Sequence, residues 1–338
     1  MFDLTRRHAI KLLGSAAALV TLPLQKALAL TRLPLHEEAK RAAAGLTPSV
    51  LDRELDGVYA KIFARKKSTM HIERVAHVRY LGLGQLAGRD VRVADGHTFD
   101  NAWGQRWIYN FSPNEASFAF SVVEDDDPRA GIPNSDRPPS IMGLAHLRQG
   151  HQPVPWRRSD LRLALKTLVG QFRDLREQDA AAIFNKARTY DPSIGGDGVA
   201  MVSSHHPVED GTWSNAFHGE LTPSAVEAAM KQIRTEWVDD ANLKLNSRGV
   251  LLVVPSALAE AASSIDFPHV VWDQLTDPTA WFMVTTNAQV GLPWFERHPL
   301  ELDVWRDLIS DVVLVKGYER RCFGCSDPRA VLGAFPRV

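Results

Sequence analysis

The sequence has very few cysteines, no excess of charge of either sign and no long unbroken hydrophobic run. Two cysteines among 338 residues cannot form the disulfide framework of a small secreted protein. With 39 Lys and Arg against 40 Asp and Glu, the chain shows no overall preference for a strongly charged partner. The most apolar stretch, between Lys11 and Lys26, is interrupted by polar residues, a glycine and Pro23, so it is too short and broken for a transmembrane helix.

The charge that is present is unevenly distributed. Residues 1–75 carry 13 Lys and Arg against 7 Asp and Glu, whereas residues 76–338 carry 26 against 33. A basic segment on an acidic body suggests that the segment meets a partner of opposite charge. A solvated, flexible N-terminus is the alternative, and charge alone favours it.

The first thirty residues also fit a bacterial export signal. Residues 5–11 (TRRHAIK) approximate a twin-arginine motif, an apolar stretch follows, and Ala27-Leu28-Ala29 fits a small-x-small cleavage site. The alternative is a basic, mostly helical arm that stays attached to the chain.

Residues 76–127 have the composition of short β-strands separated by turns. Five glycines punctuate the segment, and residues 116–123 (ASFAFSVV) predict a strand. This pattern indicates a long β-hairpin. The acidic run at 124–127 ends it, and six prolines between 128 and 155 predict a loop-rich connection.

Residues 157–189 contain the strongest helical signal of the chain. Apolar side chains recur there at steps of three and four, which predicts an amphipathic helix of about 45 Å. Ser159 is the expected N-cap, and the turn residues that follow Tyr190 end the helix. A helix of this length exceeds what a small globule needs and indicates a structural spine.

Residues 191–300 are typical of an α/β domain, and residues 301–335 of further strands. Thr222-Pro223 supplies the cap and the first-turn proline of a helix that extends to Trp237, and a second helix is predicted over 256–265. The predicted strands of the two segments are 250–254, 269–272, 281–284, 311–315, 318–323 and 330–332.

Two motifs invite a chemical interpretation that a structural one outweighs. Adjacent His205 and His206 in an extended segment point to opposite sides, so they do not ligate one ion together, and a structural loop is favoured. The pair Cys322-x-x-Cys325 lacks the helix N-terminus of a redox site and the second cysteine pair of a zinc site. Two ordinary side chains near a turn are favoured, and a reactive pair is the alternative.

Two further motifs lack the pattern that a binding site needs. The run Glu124–Asp127 does not alternate ligands as a calcium loop does, and it predicts a solvated acidic turn. The glycine-rich stretch 195–198 lacks the lysine of a phosphate-binding loop. With no nucleophile elbow and no triad, the sequence predicts a protein that is not an enzyme, with no cofactor and no catalytic, cofactor-binding or metal-ligating residue.

The second half of the chain carries a series of short stretches in a fixed order. They are AAIFNKA at 181–187, GGDGV at 195–199, SSHHP at 203–207, GTWSN at 211–215, GELT at 219–222, LVVPSAL at 252–258, LTDPTAWF at 275–282, GL at 291–292, FER at 295–297, GYERR at 317–321 and VLG at 331–333. In this order the stretches resemble the major capsid proteins of tailed bacteriophages, particularly the Mu-like head-subunit branch.

The resemblance implies an α+β fold of the Hong Kong 97 type, whose order of parts matches the order of segments above. The implied parts are a basic N-terminal arm at 1–75, an extended β-hairpin (E-loop) with its connecting loop at 76–155, the spine helix of a peripheral domain at 156–190, an axial domain at 191–300, and strands at 301–338 that return to the peripheral domain and add a final axial strand. The arm matches the family only loosely.

The function implied by the resemblance is that of a major capsid protein. Copies of the chain would assemble as pentamers and hexamers into an icosahedral shell in the cytoplasm of the bacterial host. Expected partners are the chain itself, a portal, a scaffold, protease or decoration proteins, and double-stranded DNA contacted without sequence specificity; no membrane is expected. The alternatives are an encapsulin-like nanocompartment, which would enclose protein cargo, and a twin-arginine-exported periplasmic protein.

Overall fold

A computed structural model describes residues 33–67, 79–81, 98–100, 106–108, 114–128, 142–143, 155–191, 197–239, 241–309 and 311–336. The twin-arginine-like stretch, the Ala27-Leu28-Ala29 site, Gly195-Gly196 and most of the proline-rich connection lie outside these residues. The chain divides into two compact units. The first unit comprises Met1–Leu46, Ala119–Ala164 and Leu302–Lys316, and the second comprises Thr47–Phe118, Leu165–Glu301 and Gly317–Val338.

Helices and strands are mixed along the described chain, as the predicted α+β class requires. The helices are α1 Leu35–Ala44, α2 Pro48–Leu55, α3 Tyr59–Ile62, α4 Leu161–Asn185, α5 Pro223–Glu236, α6 Ala259–Ser263 and α7 Ala288–Gly291. The strands are β1 Ala64–Lys67, β2 Arg79–Leu81, β3 Thr98–Asp100, β4 Arg106–Ile108, β5 Asn114–Val123, β6 Met142–Gly143, β7 Trp156–Arg157, β8 His206–Val208, β9 Gly211–Trp213, β10 Ala216–Phe217, β11 Gly249–Val254, β12 His269–Val271, β13 Trp281–Thr285, β14 Pro293–Asp307, β15 Val312–Phe323 and β16 Val331–Ala334.

The long helix α4 lies inside the predicted segment 156–190 but is shorter than predicted. It has 25 residues, which gives roughly 37 Å at 1.5 Å per residue. A short strand and the 3₁₀ turn Arg158–Asp160 precede it, so Ser159 is not the N-cap that the sequence suggested. The backbone N–H of Ser159 donates instead to the Asp125 carboxylate at 2.6 Å. A residue distant in sequence therefore stabilises the start of the spine.

The second unit is built on a mixed five-stranded sheet with the order β10-β16-β13-β11-β12. Strand β13 runs antiparallel to both of its neighbours, whereas β10 pairs with β16 and β12 with β11 in parallel. The strands predicted at 250–254, 269–272 and 281–284 are confirmed. In this sheet they are neighbours, with β11 between β13 and β12. The C-terminal strand β16 is inserted between β10 and β13, so the last residues of the chain complete a sheet that begins more than a hundred residues earlier.

Both faces of this sheet are buried, because alternate residues of each strand enter different cores. One core takes Val253, Phe282, Val284 and Val331 from the sheet and Ile183 and Phe184 from α4. The other takes Leu252, Val254, Trp281, Met283 and Leu332 from the sheet and Val226, Ala229 and Ile233 from α5. Strands covered by helices on both faces need continuous apolar runs. The runs GVLLVV in β11 and WFMVT in β13 therefore predicted strands. Thr222 caps α5 as predicted, accepting the N–H of Ala225 at 3.1 Å.

Part of the predicted N-terminal arm is packed into the second unit. Tyr59, Ile62 and Phe63 are buried in the same core as α4. The ring of Tyr59 meets that of Trp294 edge-on at 5.6 Å, and the ring of Phe63 meets that of Phe323 at 5.2 Å. Sequence analysis detected no compact core before residue 75, because the apolar residues of this segment have partners that lie more than a hundred positions away.

The six-stranded sheet contains a long strand that the sequence analysis missed. Its order is β1-β14-β15-β5-β6, with β7 also paired to β5. Strand β14 contains Pro299, which argues against a central strand. The pairing of β14 with β1 ends at Glu296, so Pro299 lies beyond the ladder with β1. The two strands predicted at 311–315 and 318–323 form one strand, β15.

Candidate functional site

The hairpin formed by β14 and β15 ends in a turn held by charged side chains of the first unit. The guanidinium of Arg306 donates from Nε to the Asp311 carboxylate at 2.9 Å. The Asp307 carboxylate accepts the backbone N–H of Ile309 at 3.0 Å. Asp311 has φ 53°, a left-handed conformation that aspartate tolerates better than most residues. These contacts give the turn a defined shape.

This turn exposes three large apolar side chains, Trp305, Leu308 and Ile309, which we call the hairpin tip. Their exposed fractions are 39%, 84% and 98%. Isolated exposed hydrophobic residues are ordinary, but an adjacent pair beside a tryptophan on a fixed turn is typical of a protein contact surface. Sequence analysis did not single out the tip. The available signal was an apolar pair between two aspartates, in the segment DLISD at 307–311.

A buried ionic network in the second unit joins α4 to β15. Arg176 donates from Nε to the Glu319 carboxylate at 3.1 Å, and Arg321 donates to the other oxygen of the same carboxylate. Their exposed fractions are 2%, 0% and 3%, so the three charges depend on one another for solvation. Burial alone would lower the pKa of Arg176, but the Glu319 carboxylate outweighs it and raises that pKa, which keeps the guanidinium charged.

The network extends to two further side chains. Arg321 donates to the Asp179 carboxylate at 2.7 Å, and Arg176 donates to the Tyr59 hydroxyl at 3.2 Å. The hydroxyl in turn donates to the carbonyl of Leu55 at 3.0 Å. The two arginines and Glu319 are buried, whereas Asp179 is partly exposed. These contacts join the helix, the strand and the N-terminal segment to one another.

Glu177, next to this network on α4, ties two other segments to the helix. Its carboxylate accepts the indole N–H of Trp272 at 2.6 Å and the backbone N–H of Val58. Gly57 lies so close that an added Cβ would come within 1.8 Å of a carboxylate oxygen. Burial raises the pKa of Glu177 more than these hydrogen bonds lower it.

We expect Glu177→Gln to reduce the pH dependence of stability above about pH 4.3. A raised native pKa means that the native state holds the proton more tightly than the unfolded chain does. Wild-type stability therefore falls as pH rises from the unfolded-state pKa of about 4.3 through the native pKa. Burial also raises the pKa of Asp179. Asp179 therefore still contributes to the dependence of stability on pH in the variant. Urea midpoints measured between about pH 4 and pH 7 test this, with exposed Glu227→Gln as the control. A variant slope equal to that of the wild type would contradict it.

The sequence analysis expected the two adjacent histidines to point to opposite sides, and their side chains do have separate surroundings. His206 is buried, with its ring stacked on Trp213 at 4.7 Å. Its Nδ1 lies 2.8 Å from the Asp197 carboxylate and its Nε2 lies 2.8 Å from the Asn215 side-chain oxygen. His205 is exposed and bonds to the Ser204 hydroxyl.

Asn215 is the centre of this buried polar cluster. Its amide nitrogen donates to the carbonyls of Met201, Pro328 and Val331 at 2.8–3.0 Å. This fixes the orientation of the amide, so the side-chain oxygen accepts from the N–H of Ser203 and faces His206. The two ring nitrogens of His206 therefore face the Asp197 carboxylate and the Asn215 side-chain oxygen. The cluster links the loop after α4 to the C-terminal strand.

The cysteine pair does not have the surroundings of a reactive site. Cys322 and Cys325 are free thiols, and both are buried. Burial raises the pKa of each thiol well above its usual range, which suppresses the thiolate that redox and metal chemistry require. The structural interpretation is therefore favoured over the reactive pair.

The acidic run after β5 is not the fully solvated turn that the sequence suggested. The Glu124 carboxylate accepts two hydrogen bonds from Arg158, at 2.9 and 3.1 Å. The backbone carbonyl of Asp125 accepts from the Arg157 guanidinium at 2.7 Å. These carboxylates serve as structural partners of the residues that precede α4.

The described residues bring together no group of three or more His, Cys, Asp or Glu side chains that could hold a metal ion. Within the same part of the chain, no helix is both long and apolar enough to cross a membrane. What the described residues do present is an exposed apolar tip on the hairpin of the first unit and, within the second unit, buried polar networks. An exposed apolar tip of this kind is typical of a protein contact surface.

Comparison with known families identifies the chain more closely. The family described as phage capsid protein matches residues 159–334, slightly more than half of the 338 residues. The chain therefore belongs to the phage capsid protein family, as the sequence analysis predicted, and its place is the virion capsid. No curated protein matches the chain in sequence.

Several solved structures are similar in outline and distant in sequence. A chain of the satellite phage P4 procapsid is 10% identical, with a TM-score of 0.40 over 85% of this chain and 97% of that one. A phage-related protein from Bordetella bronchiseptica RB50 is 12% identical, with a TM-score of 0.42 over 85% and 96%. The SrpI encapsulin of Synechococcus elongatus PCC 7942 is 9% identical, with a TM-score of 0.40 over 82% and 86%. The assignment rests on the family match.

Proposed function

We propose that the chain is the major head subunit of a tailed phage and that many copies form a closed icosahedral shell around double-stranded DNA. The observation that carries this proposal is the family match, which spans α4, the five-stranded sheet and the long hairpin. The order of segments along the chain supports it. The protein acts through interfaces between copies and not through catalysis.

The parts of the chain take the roles of a Hong Kong 97-type subunit. Residues 76–155 form the extended loop that lies over a neighbouring copy, and α4 is the spine of the peripheral domain. Residues 191–300 together with β16 form the axial domain, where five or six copies meet. Residues 1–75 form the arm, of which residues 47–67 belong to the second unit. Head-to-tail contacts that close into rings explain how one chain makes pentamers and hexamers.

The shell meets further partners at its surfaces. Packaged DNA faces the basic N-terminal residues through phosphate contacts that require no base recognition. A portal, a scaffold, a protease or decoration proteins complete the particle during assembly in the host cytoplasm. The hairpin tip is a contact between copies, since a shell buries apolar surface that a single subunit exposes.

We expect the double variant Leu308→Ser/Ile309→Ser to form at least tenfold fewer particles than the wild type. Each large apolar side chain contributes about 1.5–3 kcal/mol when it is buried, and this contribution is lost at every copy of the contact. Because both side chains are exposed in the subunit, its own unfolding midpoint stays unchanged. Sedimentation and negative-stain microscopy measure the particles.

The matched control is Glu301→Ser/Asp303→Ser, which alters two exposed residues of the same strand away from the turn. It should assemble as the wild type does. Equal particle yields from the tip variant and this control would contradict the role of the tip.

The content of the particles separates the proposal from the two alternatives. Particles that protect double-stranded DNA from nuclease support a phage head, whereas particles that enclose a second protein and no DNA indicate an encapsulin-like compartment. N-terminal sequencing of the native protein addresses export. A start near Met1 agrees with a shell subunit, whereas a start at Leu30 in a protein that forms no particles indicates a periplasmic protein.

A further inference from the structure

The first unit contains a cavity of about 360 Å³ between α1 and the beginning of α4. This volume lies near the lower end of small-molecule sites, which span roughly 300–1,000 Å³. The charged side chains that line it are Arg41, Arg158, Arg162 and Glu38, and Ser159 adds a hydroxyl group. Three guanidinium groups and one carboxylate give the lining a formal charge of +2.

One of the three guanidinium groups is already engaged. Arg158 is 9% exposed and donates to the carboxylates of Glu38 and Glu124 at 2.7 and 2.9 Å. Burial alone would lower the pKa of Arg158, but these hydrogen bonds outweigh it and raise that pKa. Arg158 and Glu38 thus form the fixed wall of the cavity, and they are not available to a ligand.

The other two guanidinium groups remain for a ligand. Arg41 and Arg162 are exposed, and among the described residues neither guanidinium group forms a hydrogen bond or an ion pair. They approach the cavity from different helices, α1 and α4.

We propose that this cavity binds a phosphate group. Two guanidinium forks and a serine hydroxyl match the several oxygens of a tetrahedral oxyanion, because arginine binds phosphate through paired N–H groups. A phosphate monoester or inorganic phosphate carries −1.5 to −2 at pH 7, which balances the +2 of the lining. A carboxylate carries a single charge, so it would neutralise only half of the +2 of the lining.

The phosphate can come from two sources. Inorganic phosphate or a phosphomonoester would bind to the subunit whether or not it assembles. A phosphodiester of DNA would bring the same chemistry, and that source rests on the proposed function. Both sources require Arg41 and Arg162.

The test is titration calorimetry of the unassembled full-length protein with sodium phosphate at low ionic strength. We expect saturable binding of one phosphate per chain, weakened at least tenfold by Arg41→Ser and by Arg162→Ser. The controls Lys40→Ser and Lys166→Ser remove the same charge from exposed positions on the same helices and outside the lining, and they should bind as the wild type does. Absence of binding in the wild type, or equal weakening in the lysine controls, would overturn the proposal.

A second titration with a short DNA duplex of about 12 bp identifies the source. If the arginine variants weaken duplex binding as well, and phosphate competes with the duplex, the DNA backbone occupies the cavity. If duplex binding is unchanged while phosphate binding is lost, the ligand is free phosphate or a monoester. Both titrations use unassembled protein. They therefore test the cavity even if the protein forms no particles and the proposed function fails.

Discussion

Glu319→Gln is expected to remove a large share of the stability of the second unit. The substitution keeps the shape of the side chain and deletes the negative charge between Arg176 and Arg321. Arg321 retains Asp179 as a partner, but Arg176 is left buried without a carboxylate. Breaking a buried ion pair by removing one partner costs about 3–5 kcal/mol, which is a large share of the roughly 5–15 kcal/mol of a typical domain. Urea unfolding followed by tryptophan fluorescence measures the loss.

The control for this prediction is Glu301→Gln, the same substitution at an exposed position on the adjacent strand. It should change stability by no more than about 0.5 kcal/mol. The double variant Glu319→Gln/Arg176→Met should recover part of the loss, because it removes the stranded charge together with its missing partner. Unfolding of Glu319→Gln at the same urea concentration as the control would refute the role assigned to the network.

Asn215→Ala is expected to destabilise the junction between the loop after α4 and the C-terminal strand by about 3–5 kcal/mol. The amide serves three backbone carbonyls, one backbone N–H and His206. Alanine leaves these buried groups unpaired, and each unpaired group costs about 1–3 kcal/mol unless water enters. Hydrogen exchange should show the largest loss of protection around Ser203 and β16, because these segments meet at the amide.

The control here is Gln178→Ala, which deletes an exposed amide on α4 that has no hydrogen-bond partner among the described residues. Its stability should match that of the wild type. Asn215→Asp should be at least as damaging as Asn215→Ala, since it places a carboxylate against three carbonyl oxygens. A loss below about 1 kcal/mol for Asn215→Ala would show that the cluster is not a structural junction.

Elements with a continuous or periodic local pattern were predictable. The helix α4 was visible in its apolar spacing, and β11 and β13 were visible as apolar runs bounded by turn residues. The predictions were wrong at the ends of the long helix, and they missed one strand that contains a proline. The predicted spine, 157–189, is four residues too long at each end. At its start the Asp125 carboxylate, more than thirty positions away in sequence, accepts the backbone N–H of Ser159, a contact that no local pattern specifies. Strand β14 was missed because Pro299 carries a local signal that its position in the sheet overrides.

The candidate sites show the same division. The structural interpretation of the histidine and cysteine motifs stays a prediction, and the separate contacts of the two histidines and the burial of both thiols support it. The hairpin tip was missed, since Leu308 and Ile309 acquire significance only when β14 and β15 place them at a turn. The cavity beside α4 was equally invisible, because Arg41 and Arg162 lie far apart in the chain.

The order of short motifs after residue 157 and the periodicity of the main elements were sufficient to predict the α+β class and the phage capsid family, because both kinds of signal are written in residues close together in sequence. The tertiary structure alone decided which charges are buried. The Arg176–Glu319 contact joins residues 143 positions apart. The periodicity of α4 would have accepted an apolar side chain at position 176, and the alternation along β15 would have accepted one at position 319. No local pattern specifies such a pair, since its stability comes from the exclusion of water by the whole surrounding core.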